Sequence, residues 1–242
     1  MTVAIVTGST KGIGKSISIL LAKNGFNVVV CSRNQKHVDE TVNEINSNTK
    51  NKKLAIGFKC DTSQPSDVEN IVKWTIDTFG TMDILVNNAG VSVYKGLLDM
   101  TLDDWYNTIN INLTGCFLFC KHVLPHMIQN NSGTIINISS GAGKMGFPKL
   151  SAYCASKFGL MGFSESISKE VISTNIRVMV LCPGEINTDM LKDIVNAGFH
   201  LNNKRENLYQ PEDVANKIYE MIRYPSVYKN GQVEEIYSGT RQ

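Results

Sequence analysis

From end to end the chain alternates short β-rich runs with longer helical ones, and this alternation restricts the possible folds more than any other feature. Residues 3–7, 27–31, 54–60, 83–87, 134–139, 176–182 and 232–237 read as strands. Stretches of about 10 to 30 residues separate them, the spacing of βαβ units. Val28-Val29-Val30 is continuously apolar, as expected when helices cover both faces of a parallel sheet. Ile13, Ile17, Leu20 and Leu21 recur at helical spacing, and so do Val68, Ile71, Val72 and Ile76. Thr101-Leu102-Asp103-Asp104 reads as a capping box, while Pro65 and Pro211 suit first helical turns, where a missing N–H is tolerated. No Pro/Gly/Ser-rich linker divides the chain. The expectation is one doubly wound α/β domain over residues 1–242, with an irregular region at 187–210 that acts as a binding lid.

Composition narrows the function. Lys and Arg number 24 against 22 Asp and Glu, and no long run of like charge occurs, so a nucleic-acid footprint is not expected. Nowhere do 18 consecutive apolar residues occur, and the first residues lack the basic and apolar regions of a signal peptide; a soluble, cytoplasmic protein with no membrane partner is expected. Cys31, Cys60, Cys116, Cys120, Cys154 and Cys182 form no Cys-x-x-Cys pair and read as reduced, buried small hydrophobes. His37, His122, His126 and His200 fall in no ligand spacing, so they read as surface or core residues and no metal is expected.

The first strand runs directly into Thr7-Gly8-Ser9-Thr10-Lys11-Gly12-Ile13-Gly14, and a helical pattern follows. Glycines permit a tight strand-to-helix turn and let the backbone approach a phosphate, which the N-terminal N–H groups of the helix then attract. The end of the second strand selects between nicotinamide cofactors. Val30-Cys31-Ser32-Arg33-Asn34 offers no carboxylate for an adenosine ribose, whereas Arg33 and Lys11 offer two cations for a 2′-phosphate, so NADP(H) is expected.

The Gly-x-x-x-Gly-x-Gly spacing resembles that of the short-chain dehydrogenase/reductase family. Asn87-Asn88-Ala89-Gly90 after the fourth strand, a Ser–Tyr–Lys set within residues 140–157, and Pro183-Gly184 after the sixth strand extend the resemblance over almost the whole chain. It implies a single-domain Rossmann fold with a seven-stranded parallel sheet and helices on both faces. It also implies that Gly8, Ser9, Thr10, Lys11, Gly12, Ile13 and Gly14 hold the cofactor together with Ser32 and Arg33. Asp61 would accept from the adenine amino group with Thr62 beside it, and Asn88, Ala89 and Gly90 would lie along the ribose. Pro183, Gly184, Ile186 and Thr188 would contact the carboxamide.

Tyr153 and Lys157 stand four residues apart, one helical turn if the segment is helical. A phenol ionises near pH 10 and exchanges protons poorly at neutrality. An ammonium at about 4 Å, in an effective dielectric of about 20, favours the phenolate by roughly 4 kcal/mol. Two hydroxyls, Ser139 and Ser140, end the fifth strand, where ligands bind in open α/β sheets. The family spacing to Tyr153 selects Ser140 as the group that polarises the carbonyl. Asn112 matches the fourth catalytic position, that of a residue organising a water, with Asn110 as the neighbouring decoy. Lys157 would also hold the ribose hydroxyls.

The expected activity is NADP(H)-dependent hydride transfer between a carbonyl and an alcohol, on a small-molecule substrate. A 3-oxoacyl-(carrier protein or CoA) reductase is the enzymatic alternative, and a non-catalytic NADP(H)-binding regulator the other. Val91, Tyr94, Phe147 and Leu150, with Met190, Leu191, Ile194, Val195, Phe199, Leu201 and Leu208 from the lid region, are candidates for an apolar substrate pocket. The ending Gln232-Val233-Glu234-Glu235-Ile236-Tyr237-Ser238-Gly239-Thr240-Arg241-Gln242 resembles the carbonyl reductase and 3-hydroxy acid dehydrogenase branch more than the fatty-acid branch. The resemblance further implies a homodimer or homotetramer.

Overall fold

A computed structural model describes residues 1–49, 54–201 and 208–237. Its strands are β1 (Val3–Thr7), β2 (Asn27–Ser32), β3 (Ala55–Lys59), β4 (Ile84–Asn87), β5 (Gly133–Ile138), β6 (Ile176–Pro183) and β7 (Val233–Ile236). They form one all-parallel sheet in the order β3-β2-β1-β4-β5-β6-β7, so the winding reverses between β1 and β4. Each strand begins and ends within one residue of its expected limits. The helices are α1 (Gly12–Lys23), α2 (Gln35–Asn48), α3 (Pro65–Phe79), α4 (Leu102–Ile109), α5 (Gly115–Gln129), α6 (Ser151–Glu170), α7 (Asp189–Asn196) and α8 (Pro211–Arg223).

Side chains alternate across the sheet and divide the core into two halves. Ala4, Val6, Val28 and Val30 meet Ile17 and Leu21 of α1, Val38 of α2 and Ile218 of α8. Ile5, Val29 and Leu85 face the other way, onto Ile71 of α3 and Phe119, Val123 and Met127 of α5. Pro65 and Pro211 open α3 and α8 as expected. Thr101 and Asp104 close the expected capping box, each side chain accepting the other's backbone N–H at 3.1 and 3.0 Å.

Two segments differ from the sequence reading. Residues 110–114 form a π turn, Asn110–Thr114, where ordinary helix is expected, because the side chain of Asn112 is drawn sideways to neighbouring segments. The region 187–210 is not irregular throughout. Thr188 accepts from the Leu191 N–H at 3.3 Å and starts the eight-residue helix α7, and Ile186 bridges in parallel to Tyr209. Part of that expected lid, residues 202–207, lies outside the described residues, as does the tail 238–242.

Candidate active site

At the C-terminal ends of β1, β4, β5 and β6 the sheet opens into a cavity of about 1080 Å³, located where the winding reverses. One end of its wall contains Gly8, Thr10, Lys11, Gly12 and Ile13. From there it extends past Ser32, Arg33, Asp61 and Thr62 on one side, and past Asn88, Ala89 and Gly90 on the other. Ser140, Tyr153, Lys157, Pro183, Gly184, Ile186 and Thr188 border it further along.

The glycine turn has the features a phosphate site needs. Gly12 takes a left-handed backbone angle, φ +51°, beside the start of α1. No side chain caps that helix, so its first N–H groups are available to an anion. A Cβ on Gly14 would collide with the Gly8 carbonyl and the Asn88 side chain, so only glycine allows α1 to approach this closely. Asn88 secures the turn, its Nδ2 donating to the Thr7 and Gly8 carbonyls at 2.8 and 3.3 Å. Thr7 Oγ1 in turn accepts the N–H groups of Asn88 and Ala89, both at 2.9 Å.

Beyond the turn, Lys11 and Arg33 are exposed and enter no ion pair among the described residues. Asp61 Oδ1 accepts from the backbone and hydroxyl of Ser63 at 3.0 and 2.7 Å, which orients the carboxylate at the end of β3. Cys60 borders the same stretch. A hydrogen bond with Cys31, then burial, holds its thiol well above the ordinary range, so it stays protonated.

Tyr153 and Lys157 lie one turn apart on α6, with the Lys157 Nζ 5.7 Å from the centre of the Tyr153 ring. Lys157 is buried, and its ammonium donates to the Ile138 carbonyl at 2.8 Å, which fixes it against the end of β5. The two candidate serines separate clearly. Ser139 is buried and its hydroxyl donates to the Lys157 carbonyl at 3.3 Å. Ser140 is half-buried and accepts the Ala142 N–H at 3.2 Å, capping a short 3-10 turn.

Three residues of the expected set do not border the cavity. Ser9 is turned into the fold, where its hydroxyl accepts from the Cys31 N–H at 2.8 Å and ties the glycine turn to β2. Gly14 is packed behind the turn, as described above. Asn112 is wholly buried: its Oδ1 accepts the Val91 N–H at 2.8 Å, and its Nδ2 donates to the Val91 carbonyl at 2.9 Å and to Ser156 Oγ at 3.0 Å. Ser156 Oγ donates to the Tyr153 carbonyl at 2.7 Å, so Asn112 reaches the helix carrying Tyr153 through the scaffold.

The cavity also borders residues that sequence reasoning assigned elsewhere or passed over. His37 comes to the wall from the first turn of α2, placed by the Asn34 cap that accepts its N–H at 3.3 Å. Lys144 and Tyr237 border it from the segment after Ser140 and from the end of β7. Of the apolar candidates, Val91, Phe147, Leu150, Met190, Leu191, Ile194 and Phe199 are on the wall; Tyr94 stands behind it, and Val195, Leu201 and the buried Leu208 do not border it. Among the described residues no group of His, Cys, Asp and Glu could hold a metal, and no helix is long and apolar enough to cross a membrane. All six cysteines are buried and free.

Comparison with known proteins agrees with this geometry. Residues 2–197 match the profile of the family described as short chain dehydrogenase. The chain is 39% identical over 240 residues to a 3-oxoacyl-(acyl-carrier-protein) reductase of Synechocystis sp., covering 98% of this chain and 96% of that protein. It is 36% identical over 237 residues to carbonyl reductase family member 4 of Xenopus laevis, covering 98% and 97%. A crystal structure of an actinorhodin polyketide ketoreductase variant with NADPH superposes with a TM-score of 0.90 at 30% identity, covering 98% of this chain and 96% of that one.

Proposed function

The chain belongs to the short-chain dehydrogenase/reductase family and is an oxidoreductase, and on that premise we propose that it reduces a carbonyl compound to its alcohol with NADPH. The observation that carries this reading is the position of Tyr153, Lys157 and Ser140 on one wall, between the uncapped start of α1 and the apolar end of the cavity. When bound along this wall, NADPH would supply the hydride that the carbonyl carbon accepts. As negative charge builds on the carbonyl oxygen, Ser140 donates a hydrogen bond to it and Tyr153 transfers its phenolic proton. The Lys157 ammonium, fixed by Ile138, stabilises the phenolate that remains. Ser139 has its hydroxyl committed to Lys157, which supports Ser140 for the role. Asn112 keeps α6 in register with the loop after β4 through Val91 and Ser156, a positioning part.

For the cofactor, Lys11 and Arg33 would hold the 2′-phosphate, Asp61 and Thr62 the adenine, and Asn88, Ala89 and Gly90 the ribose. Gly8, Thr10, Gly12 and Ile13 would hold the pyrophosphate, and Pro183, Gly184, Ile186 and Thr188 the carboxamide. The absence of a carboxylate in Ser32-Arg33-Asn34 favours NADPH over NADH, and the ketoreductase at TM-score 0.90 carries NADPH. The 39% identity to a 3-oxoacyl reductase supports the acyl role that the tail sequence weighs against, and the carbonyl reductase relative supports the broader one. Both names have a carbonyl as the reacting group. Leu98, Leu102, Tyr106 and Phe117 stand exposed on or beside α4 and α5, which supports association of copies.

The test is a panel of aldehydes, ketones, oxo acids and 3-oxoacyl esters, run with NADPH and NADH side by side and followed by cofactor absorbance. Turnover with NADPH is expected, with Tyr153→Phe lowering kcat by roughly 10²–10⁴-fold while still binding NADPH. Cofactor binding with no turnover on any member would favour the non-catalytic regulator.

A further inference from the structure

We propose that this site selects a neutral carbonyl compound whose apolar substituent packs on Phe147 and Phe199, and that Tyr94 is the positioning residue that holds Phe199 in place. The inference rests on the carbonyl-reductase reading above and specifies the substrate class. Phe147 and Phe199 border the cavity from segments more than fifty residues apart in sequence, and their rings meet edge to face at 6.3 Å. Tyr94 closes the group from behind, 6.0 Å from Phe199 with the planes at 87°. With Ala142, Leu150 and Cys154 these rings form an apolar cluster separate from both halves of the sheet core, and the Tyr153 ring packs against it.

Tyr94 is held on two sides. Its hydroxyl donates to the Gly198 carbonyl at 3.3 Å, just beyond the end of α7. Lys149 places its ammonium over the other side, 5.4 Å from the ring centre. Lys149 does so from a left-handed backbone angle, φ +62°, which is unfavourable for a residue with a Cβ, and its carbonyl accepts the Lys95 N–H at 2.9 Å. Helix α7 buries none of its residues, yet Met190, Leu191 and Ile194 border the cavity. This contact keeps the apolar face of α7 over the cavity, where an apolar group would pack.

The described wall offers an acidic substituent no compensating charge. Lys11 and Arg33 lie toward the glycine turn and β2, Lys144 is paired with Glu235, and Lys157 is committed to Ile138. Asp189 borders the cavity at the start of α7 but is paired with Lys192 at 3.3 Å. A substrate carboxylate seated against the Phe147 and Phe199 rings would give up its water and, among the described residues, meet no uncommitted ammonium or guanidinium on that part of the wall.

The experiment measures kcat and KM with NADPH for 3-oxo esters of increasing chain length and for the matching oxo acids, alongside NADPH affinity by fluorescence titration. In the wild type kcat/KM rises by about fourfold per added methylene until the cavity is full, and each oxo acid falls at least about tenfold below its ester. Phe199→Ala flattens the series. Tyr94→Phe, which removes only the hydroxyl, raises KM for the longest ester by about two- to tenfold, with kcat less affected and NADPH affinity retained. A flat series in the wild type, equal use of oxo acids, or an unchanged KM series in Tyr94→Phe overturns the inference. Failure to turn over any carbonyl overturns the underlying reading instead.

Discussion

Arg33 sets the sharpest test at the level of single residues. It directly follows β2, between Ser32 and Asn34, exposed on the cavity wall, and with Lys11 it is proposed to meet the phosphate by which the two cofactors differ. Hydrogen bonds to a charged group contribute about 1.5–3 kcal/mol. Arg33→Ala should therefore weaken NADPH binding by roughly 10- to 100-fold while changing NADH binding little, as measured by fluorescence titration. Equal losses for both cofactors would remove Arg33 from that role. Sequence alone suffices to frame this proposal, because it rests on charge and chain position. It was insufficient for Ser9, whose neighbours read equally well as a phosphate turn, but whose hydroxyl the fold turns toward Cys31.

Among the elements, α6 is the most informative, because the four-residue spacing of Tyr153 and Lys157 makes their shared face readable without any tertiary contact. The π turn before α5 could not be read in that way: it depends on Asn112 meeting Val91 and Ser156, residues about 20 and 44 positions away. The aromatic wall is similar, since Tyr94, Phe147 and Phe199 are plausible one by one but periodicity does not bring them together. Helix α4 provides a stability test. Lys95, then the backbone and hydroxyl of Thr101, hold the Asp104 carboxyl down to about 2 from its ordinary 3.8. A depressed carboxyl stabilises the fold above its unfolded value and loses that contribution as pH falls through the folded one. The melting-temperature gap between wild type and Asp104→Asn should therefore be constant above about pH 4 and close between pH 4 and 2. Thr101→Ala should cost about 1 kcal/mol in chemical denaturation at neutral pH.

For the whole molecule, the sheet order determines where chemistry can occur. The reversal between β1 and β4 opens an edge at which the glycine turn, Asn88, Ser140 and α6 converge, and the almost wholly buried strands β1, β2, β4, β5 and β6 support that edge. The parallel strands and their covering helices follow from the βα alternation in sequence, whereas the strand order is read from the folded chain. The apolar candidates are readable in the sequence, but their assembly into one end of the cavity depends on loops and on α7 and is seen only in the folded chain. The central claim is that hydride and proton reach one substrate carbon and its oxygen from opposite partners in this cavity. Reduction of a 3-oxo ester with NADPH deuterated at the transferring position of the nicotinamide tests this most directly, with the product read by mass spectrometry and NMR. One deuterium on the carbinol carbon, in a single configuration, is the predicted result. A product carrying no deuterium at that carbon, or carrying it equally in both configurations, would contradict the account.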